Sequence, residues 1–309
     1  MSLSPEHELR PETEHFTPSI RLEFLRHDEK ENEATSGNRE GDEQIRLTPR
    51  GREHSTEIGK TKAPHPEVGL VYGSPRERST EAALRQLLAN EDEIMSEDSL
   101  EGIQGKIRQY VPVGKKTIET DMLDFRSGSG EFHNALYEHY LGSSKDALVF
   151  LREKSDEVVK KAGDLESTSY SRAAGNIAEL LKKYIGVFPR WEKLSKEKPE
   201  EYEQYKNELQ RFFGSHQTVL EPFLMKVIEK TEGAEAVQKF LEVLPSKNGF
   251  GYGEGFSVKI SRNNNDESLV VVTYNGMNWE LKPELVDELV DERDALNREI
   301  LKEKHQKDQ

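Results

Sequence analysis

The chain has 309 residues, a length that suits one large α/β domain or two small ones. It contains no cysteine, which excludes disulfides, thiolate zinc sites and cysteine nucleophiles. The formal net charge is -15 and the positive charges are dispersed among acids, so we expect no nucleic-acid partner. The N-terminus lacks the apolar core of a signal peptide, and no apolar run is long enough to cross a bilayer. We therefore expect a soluble, cytoplasmic protein with no membrane partner.

The first part of the chain, residues 1–18, is predicted to be a disordered arm, because it is polar, carries prolines and shows no apolar period. Alternating apolar residues over 19–25 predict the first strand. Arg26 and His27 would then lie at the C-terminal end of that strand. The polar stretch 29–46 predicts a mobile loop beside the same end.

The next segments predict a strand and two helices. Thr48 is expected to cap a helix that ends at Gly59. The apolar run 68–72 is typical of a strand buried in a parallel sheet, and Ser74 begins the turn into the helix that carries Arg78. A strand, helix, strand, helix order predicts a doubly wound sheet, whose ligands bind beyond the carboxyl ends of the strands. The loop after the first strand and the turn after the second should therefore face one crevice.

The second half of the chain is mainly helical at first. Helical periodicity over about 132–209 predicts a helical insertion that caps the crevice. Residues 211–216 predict another strand that ends in polar residues and is followed by an amphipathic helix. Two runs of strong β-propensity, 256–260 and 269–274, predict an antiparallel hairpin at the sheet edge.

These elements together predict a three-layer α/β/α sandwich with a mostly parallel central sheet and a helical cap insertion. The α/β domain is expected to span residues 19–282. A C-terminal helix and charged tail are expected over 283–309.

The residues at the predicted strand ends suit phosphoryl transfer. A neutral imidazole can attack phosphorus when its other ring nitrogen is held by a hydrogen bond and guanidinium groups neutralise the phosphate. His27 can supply the imidazole, and Arg26 and Arg78 have the planar forks that match phosphate oxygens. His216 can supply a second imidazole that stabilises charge in the transition state. A carboxylic acid must then protonate the leaving oxygen.

The order of four short motifs carries a family resemblance. Arg-His after the first strand, Leu-Thr-x-x-Gly, Ser-Pro-x-x-Arg and Ser-His occur in the segments 24–27, 47–51, 74–78 and 215–216. Each motif is weak alone, but in this order they resemble the histidine phosphatase superfamily, which includes the cofactor-dependent phosphoglycerate mutases. The resemblance extends from residue 20 to about residue 279.

The resemblance implies roles for individual residues. His27 would be the phosphorylated nucleophile, and Arg26, Arg78 and His216 would bind the substrate phosphate. Asn32 lies where the family often uses an Asn as a further phosphate donor, although the spacing here is one residue shorter. We expect no metal and no cofactor, because the arginines and His216 supply the positive field.

Two positions depart from the family pattern. The closest match to its Leu-x-Glu, followed four residues on by Gly, is Met-Leu-Asp at 122–124 with Gly at 128. Asp124 is therefore the expected proton donor, with Glu119 and Asp121 as alternatives. Asp28 stands where the family usually has Gly; its carboxylate could weaken the binding of a dianionic phosphate or point into solvent, and the sequence leaves both open.

The sequence thus predicts a metal-independent phosphomonoester hydrolase that acts through a phosphohistidine on His27. One alternative is a phosphoglycerate-mutase-like phosphotransferase. Another is a catalytically impaired phosphate-binding or scaffold protein, in which Asp28 and a misplaced acid have removed turnover. The expected partner is a small-molecule or protein phosphoester substrate. The sequence selects neither a particular substrate nor an oligomeric state.

Overall fold

The computed structural model describes residues 16–31, 39–91, 99–110, 117–141, 147–245 and 249–307. Most of the predicted N-terminal arm and Asn32 lie outside the described residues. Within the described part of the chain, no helix combines the length and the apolar character needed to cross a membrane.

One sheet forms the centre of the described structure. Its strands, in chain order, are β1 (Ser19–Arg26), β2 (Gly69–Gly73), β3 (Thr117–Glu119), β4 (Glu208–Ser215), β5 (Gly255–Arg262), β6 (Ser268–Tyr274) and β7 (Met277–Leu281). Their spatial order is β3-β2-β4-β1-β5-β6-β7. β1, β2, β3 and β4 are parallel, whereas β5 to β7 continue the sheet in antiparallel fashion. The carboxyl ends of β1, β4 and β2 therefore meet at one edge.

Helices cover both faces of this sheet. In chain order they are α1 (Arg39–Glu43), α2 (Pro49–Thr61), α3 (Glu77–Leu87), α4 (Leu100–Tyr110), α5 (Gly130–Leu141), α6 (Ala147–Phe150), α7 (Asp156–Ala162), α8 (Tyr170–Glu197), α9 (Pro199–Tyr202), α10 (Glu221–Glu232), α11 (Ala234–Val243) and α12 (Pro283–Lys307). Helix α3 packs on β2 and β4, and α2 packs on α3. Helix α8 packs against β1, α10 and α12.

The alternation of side chains along the strands explains the two helical layers. Leu25 and Phe212 belong to a core shared with α3, whereas the neighbouring Phe24 and Phe213 belong to the core under α8 and α10. Successive residues of a strand point to opposite faces, so each central strand is buried on both sides. Phe24 and Phe213 stack with ring centroids 4.4 Å apart. The predicted three-layer α/β/α sandwich is confirmed.

Three local predictions are corrected by the structure. Gly59 does not end its helix, since α2 continues to Thr61; the glycine is there for packing, because a Cβ would lie 2.5 Å from the carbonyl oxygen of Gln86. The stretch predicted as a loop contains α1, and Lys30 forms a bridge with Leu47. The hairpin does not form the sheet edge, because β7 pairs outside β6.

Candidate active site

Adjacent strand ends bring the two predicted site histidines together. Arg26 and Ser215 are paired in the parallel register of β1 and β4, so His27 and His216 follow at the same level. The backbone N–H of His27 donates to the carbonyl of Ser215 over 2.9 Å. The two imidazole rings meet edge to face with centroids 5.1 Å apart.

Close packing of α3 brings its side chains to the same edge. Gly214, next to the end of β4, faces this helix, and a Cβ there would lie only 1.9 Å from the carbonyl oxygen of Ser79. Any larger residue would push α3 away from the strand. This approach places Ser74 and Arg78 beside the histidines.

Hydrogen bonding determines which nitrogen of His27 is available. Nδ1 lies 2.7 Å from the backbone oxygen of Asp28. Since a carbonyl can only accept, the proton is assigned to Nδ1, and Nε2 keeps its lone pair. Burial, and then the positive charge of Arg78, lowers the pKa of His27 to about 3. The imidazole is therefore neutral near pH 7, as a nucleophile must be.

His216 is buried beside a chain of hydroxyl groups. Its Nε2 lies 2.7 Å from Oγ of Ser74, and that hydroxyl lies 2.9 Å from Oγ of Ser79. Burial lowers the pKa of His216 well below its usual range, and neighbouring His27 and Arg76 lower it further. The His216 imidazole is therefore neutral near pH 7 and can take part in hydrogen bonds without carrying a charge.

The side chain of Arg26 is held in place by residues of the segment before β5. Its Nη1 donates to the carbonyl of Phe250 over 2.6 Å, and its guanidinium stacks 4.4 Å from the ring centroid of Tyr252. The N–H of Phe250 in turn donates to Oε1 of the buried Glu221 over 2.7 Å. Nε of Arg26 is buried and has no hydrogen-bond partner among the described residues. No sequence motif indicated Glu221, because its contact with Phe250 joins residues that are distant along the chain.

Arg78 is buried, and a carboxylate already occupies its fork. Nη1 and Nη2 donate to the backbone oxygen and Oδ2 of Asp42 over 2.6 and 3.0 Å. Arg76 donates to the same carboxylate over 2.5 Å, and Lys30 donates over 3.3 Å. We call Lys30, Arg76 and Arg78 the cation clamp. Burial opposes ionisation of Asp42, but the two arginines lower its pKa below the usual range.

Asp124 is the carboxylate that the structure places nearest to His216. It is buried, and its Oδ1 lies 2.9 Å from Nε of Arg76 and 3.8 Å from Nε2 of His216. The two alternatives are differently placed. Asp121 has a side chain that is 64% exposed, and Glu119, the last residue of β3, is also exposed. Position therefore favours Asp124 as the acid.

The carboxylate of Asp28 is buried against α2. It is only 2% exposed, and its Oδ2 lies 2.6 Å from Nδ1 of His54 and 3.3 Å from Oγ of Ser55, both on α2. The backbone N–H of Glu29 donates to Oδ1 over 2.9 Å. The carboxylate thus points away from the cation clamp. The sequence analysis considered an Asp28 side chain that faces the phosphate or solvent, and it did not consider a buried one.

Sequence reasoning missed Lys30, Arg76 and Asp42. Arg76 lies inside the Ser-Pro-x-x-Arg motif, and an arginine at that position could have been recognised as a further cation near the site. Asp42 and Lys30 reach the site only through the fold of α1 and the bridge at Leu47. Within the described ranges, no group of three or more His, Asp or Glu side chains is arranged to hold a metal ion.

No family model and no curated protein match the chain. Solved structures are similar. Mycobacterial hydrolase 2 is 12% identical over 88% of this chain and 97% of that chain, with a TM-score of 0.46. A phosphoglycerate mutase from Bacillus anthracis str. Sterne is 16% identical over 89% of this chain and 99% of that chain, with a TM-score of 0.37. A mycobacterial glucosyl-3-phosphoglycerate phosphatase is 12% identical over 81% of this chain and 93% of that chain, with a TM-score of 0.37.

What the site does must be argued from the residues of this chain.

Proposed function

We propose that this chain is a histidine phosphatase: a phosphomonoester hydrolase that acts through a phosphohistidine on Nε2 of His27. The observation that carries the proposal is the state of His27. Its Nδ1–H is bound to the backbone oxygen of Asp28, its ring is neutral, and guanidinium groups lie beside it. A fixed neutral imidazole next to positive charge is what nucleophilic attack on a phosphate ester requires.

Binding comes first in the proposed mechanism. Arg26 and Arg78 each have a buried Nε without a partner among the described residues, so both can donate to phosphate oxygens. The phosphate takes over the fork of Arg78 that Asp42 now holds. His216 adds a hydrogen bond to the same oxygens through its imidazole.

Two transfers then complete the reaction. The Nε2 lone pair of His27 attacks phosphorus in line, the P–O ester bond breaks, and the leaving oxygen takes a proton from the carboxyl group of Asp124. Water next loses a proton to Asp124 and attacks phosphorus, and the N–P bond breaks to release inorganic phosphate. Arg76 holds Asp124 in position for both proton transfers. Because the arginines supply the positive charge, we propose that the reaction needs no metal.

The first test is hydrolysis of para-nitrophenyl phosphate in a chelator by the wild type and by His27→Ala. We expect the wild type to turn over and the variant to be inactive. His133→Ala is the matched control, because it removes an exposed histidine from α5. Turnover that survives in His27→Ala, or that disappears with the chelator, would reject the proposed mechanism.

A second measurement separates the proposed hydrolase from its alternatives. Quenching the reaction of a phosphorus-labelled substrate should trap an acid-labile, base-stable label on His27. Phosphate transfer to an added alcohol that exceeds transfer to water would favour a mutase-like phosphotransferase instead. Phosphate binding without any trapped label would favour a binding protein.

A further inference from the structure

Asp28, which follows the proposed nucleophile in the chain, is held by helix α2, which contains no residue of the cation clamp. The side chain of Asp28 is buried and receives hydrogen bonds from the backbone N–H of Glu29 and from His54 and Ser55. The last two residues are consecutive on α2. Their contacts fasten the main chain just after β1 to that helix.

Helix α2 is itself a firm support. Thr48 caps its first turn by accepting a hydrogen bond from the N–H of Gly51 over 3.0 Å. At its other end, Gly59 lets the helix pack directly against α3. A residue held by α2 therefore has a defined position relative to the strand ends that carry the site.

The main-chain oxygen of Asp28 is also the group that holds His27. It accepts the Nδ1–H of the imidazole over 2.7 Å. Rotation of the peptide that follows Asp28 would swing this oxygen away, and the ring would lose both its fixed tautomer and its direction. The three hydrogen bonds to the carboxylate oppose that rotation.

We propose that Asp28 is a positioning residue for the reaction of His27: its side chain locks the peptide whose oxygen holds Nδ1–H, so that Nε2 faces the substrate phosphate. This inference rests on the proposed function. A glycine, usual at this position in the family that the motifs resemble, has no side chain with which to form such a lock. In this proposal the buried carboxylate supports turnover, whereas the sequence analysis also considered that it could remove turnover.

Asp28→Ala and Asp28→Asn form a matched pair for the test. Asparagine keeps the shape, an oxygen that accepts the N–H of Glu29 and an amide group that can hydrogen-bond to the two residues of α2, whereas alanine removes every side-chain contact. We expect Asp28→Ala to lower kcat for para-nitrophenyl phosphate by about 10- to 100-fold with KM unchanged, as loss of an orienting partner does. Asp28→Asn should recover most of that loss.

The tautomer of His27 is a readout that a purely structural role would leave unchanged. Long-range proton–nitrogen NMR correlations distinguish Nδ1–H from Nε2–H, and the His27→Ala protein identifies the signal of His27 among those of nine histidines. We expect a single Nδ1–H form in the wild type and in Asp28→Asn, and a mixture in Asp28→Ala. If Asp28→Ala does not fold, His54→Ala can replace it. This variant changes a partly exposed residue, removes the shortest of the three contacts and should shift the tautomer in the same direction.

Two results would overturn the inference. One is an Asp28→Ala protein with wild-type kcat and a wild-type tautomer. The other is an Asp28→Asn protein as slow as Asp28→Ala, since the effect would then belong to charge and not to the lock. The NMR measurement needs no turnover. A wild-type protein that forms no phosphohistidine would reject the proposed function, and the tautomer of His27 in the variants would still test whether Asp28 positions the ring.

Discussion

Asp42 contacts all three residues of the cation clamp, and the loss of its charge should strengthen phosphate binding. Asp42→Asn keeps the size of the side chain and deletes its charge. The carboxylate contacts Arg76, Arg78 and Lys30 over 2.5, 3.0 and 3.3 Å, and its side chain is 20% exposed. Ion pairs near the surface contribute about 0.2 to 1 kcal/mol each, so with roughly 0.5 kcal/mol for each pair the three together give roughly 1–2 kcal/mol.

A phosphate that enters the clamp must displace this carboxylate and forgo that free energy. Since about 1.4 kcal/mol corresponds to a tenfold change in affinity, Asp42→Asn should bind inorganic phosphate about 5- to 30-fold more tightly. The free energy of unfolding of the unliganded variant should fall by a similar roughly 1–2 kcal/mol, because the clamp loses its internal counter-charge.

Isothermal titration with inorganic phosphate measures the first effect and thermal unfolding the second. Glu57→Gln is the control, because it removes one exposed carboxylate from α2 at the pair with Lys60 and so reports the effect of overall charge. Phosphate affinity that is unchanged or weaker in Asp42→Asn would refute the competition, and would make Asp42 part of the binding site.

Three other changes test the remaining roles. Arg78→Lys keeps the charge but loses the planar fork, so KM for para-nitrophenyl phosphate should rise about 10- to 100-fold, as loss of charge-assisted hydrogen bonds of 1.5–3 kcal/mol predicts; an unchanged KM would remove Arg78 from phosphate binding. Asp124→Asn should slow alkyl phosphates by about 100-fold or more and para-nitrophenyl phosphate much less, because only a poor leaving group needs the proton; equal losses would assign the acid elsewhere. The ring of His27, with its pKa of about 3, should stay neutral down to about pH 4 in an NMR titration. Because the unfolded chain protonates this ring near pH 6.5, its contribution to stability should be complete above that pH and fall as the pH is lowered toward 3.

Much of the fold could be predicted, because its central strands have local signals. Leu25 and Phe24 point to opposite faces of β1, and such continuous apolar runs are typical of strands covered by helices on both sides. The polar residues after each run then mark the strand ends, which is how Arg26 and His27 could be placed at one edge. β7 was missed although Asn275-Gly276, both with positive φ, is the strongest short hairpin signal.

The candidate site was predictable only where its residues follow strand ends. The motif order singled out His27, His216 and Arg78, but it assigned no role to Arg76 at the start of α3. Arg76 contacts both Asp124 and Asp42, whereas Arg78 contacts Asp42, and these contacts depend on where two distant segments of the chain come to lie. The direction of the Asp28 side chain depends likewise on α2, more than twenty residues further along the chain.

The charges around the histidines also suit the proposed phosphate ligand, although the chain as a whole is acidic. Overall the protein carries a formal charge of -15. At the strand ends the described residues place five cations, from Arg26, Arg126 and the three residues of the cation clamp, against the carboxylates of Asp42, Asp121 and Asp124. Five minus three leaves a local charge of two positive units, since both histidines are neutral, and the proton that Asp124 carries in the proposed first transfer raises it to three. A phosphomonoester carries about -1.5 to -2 at pH 7 and would offset most of that charge.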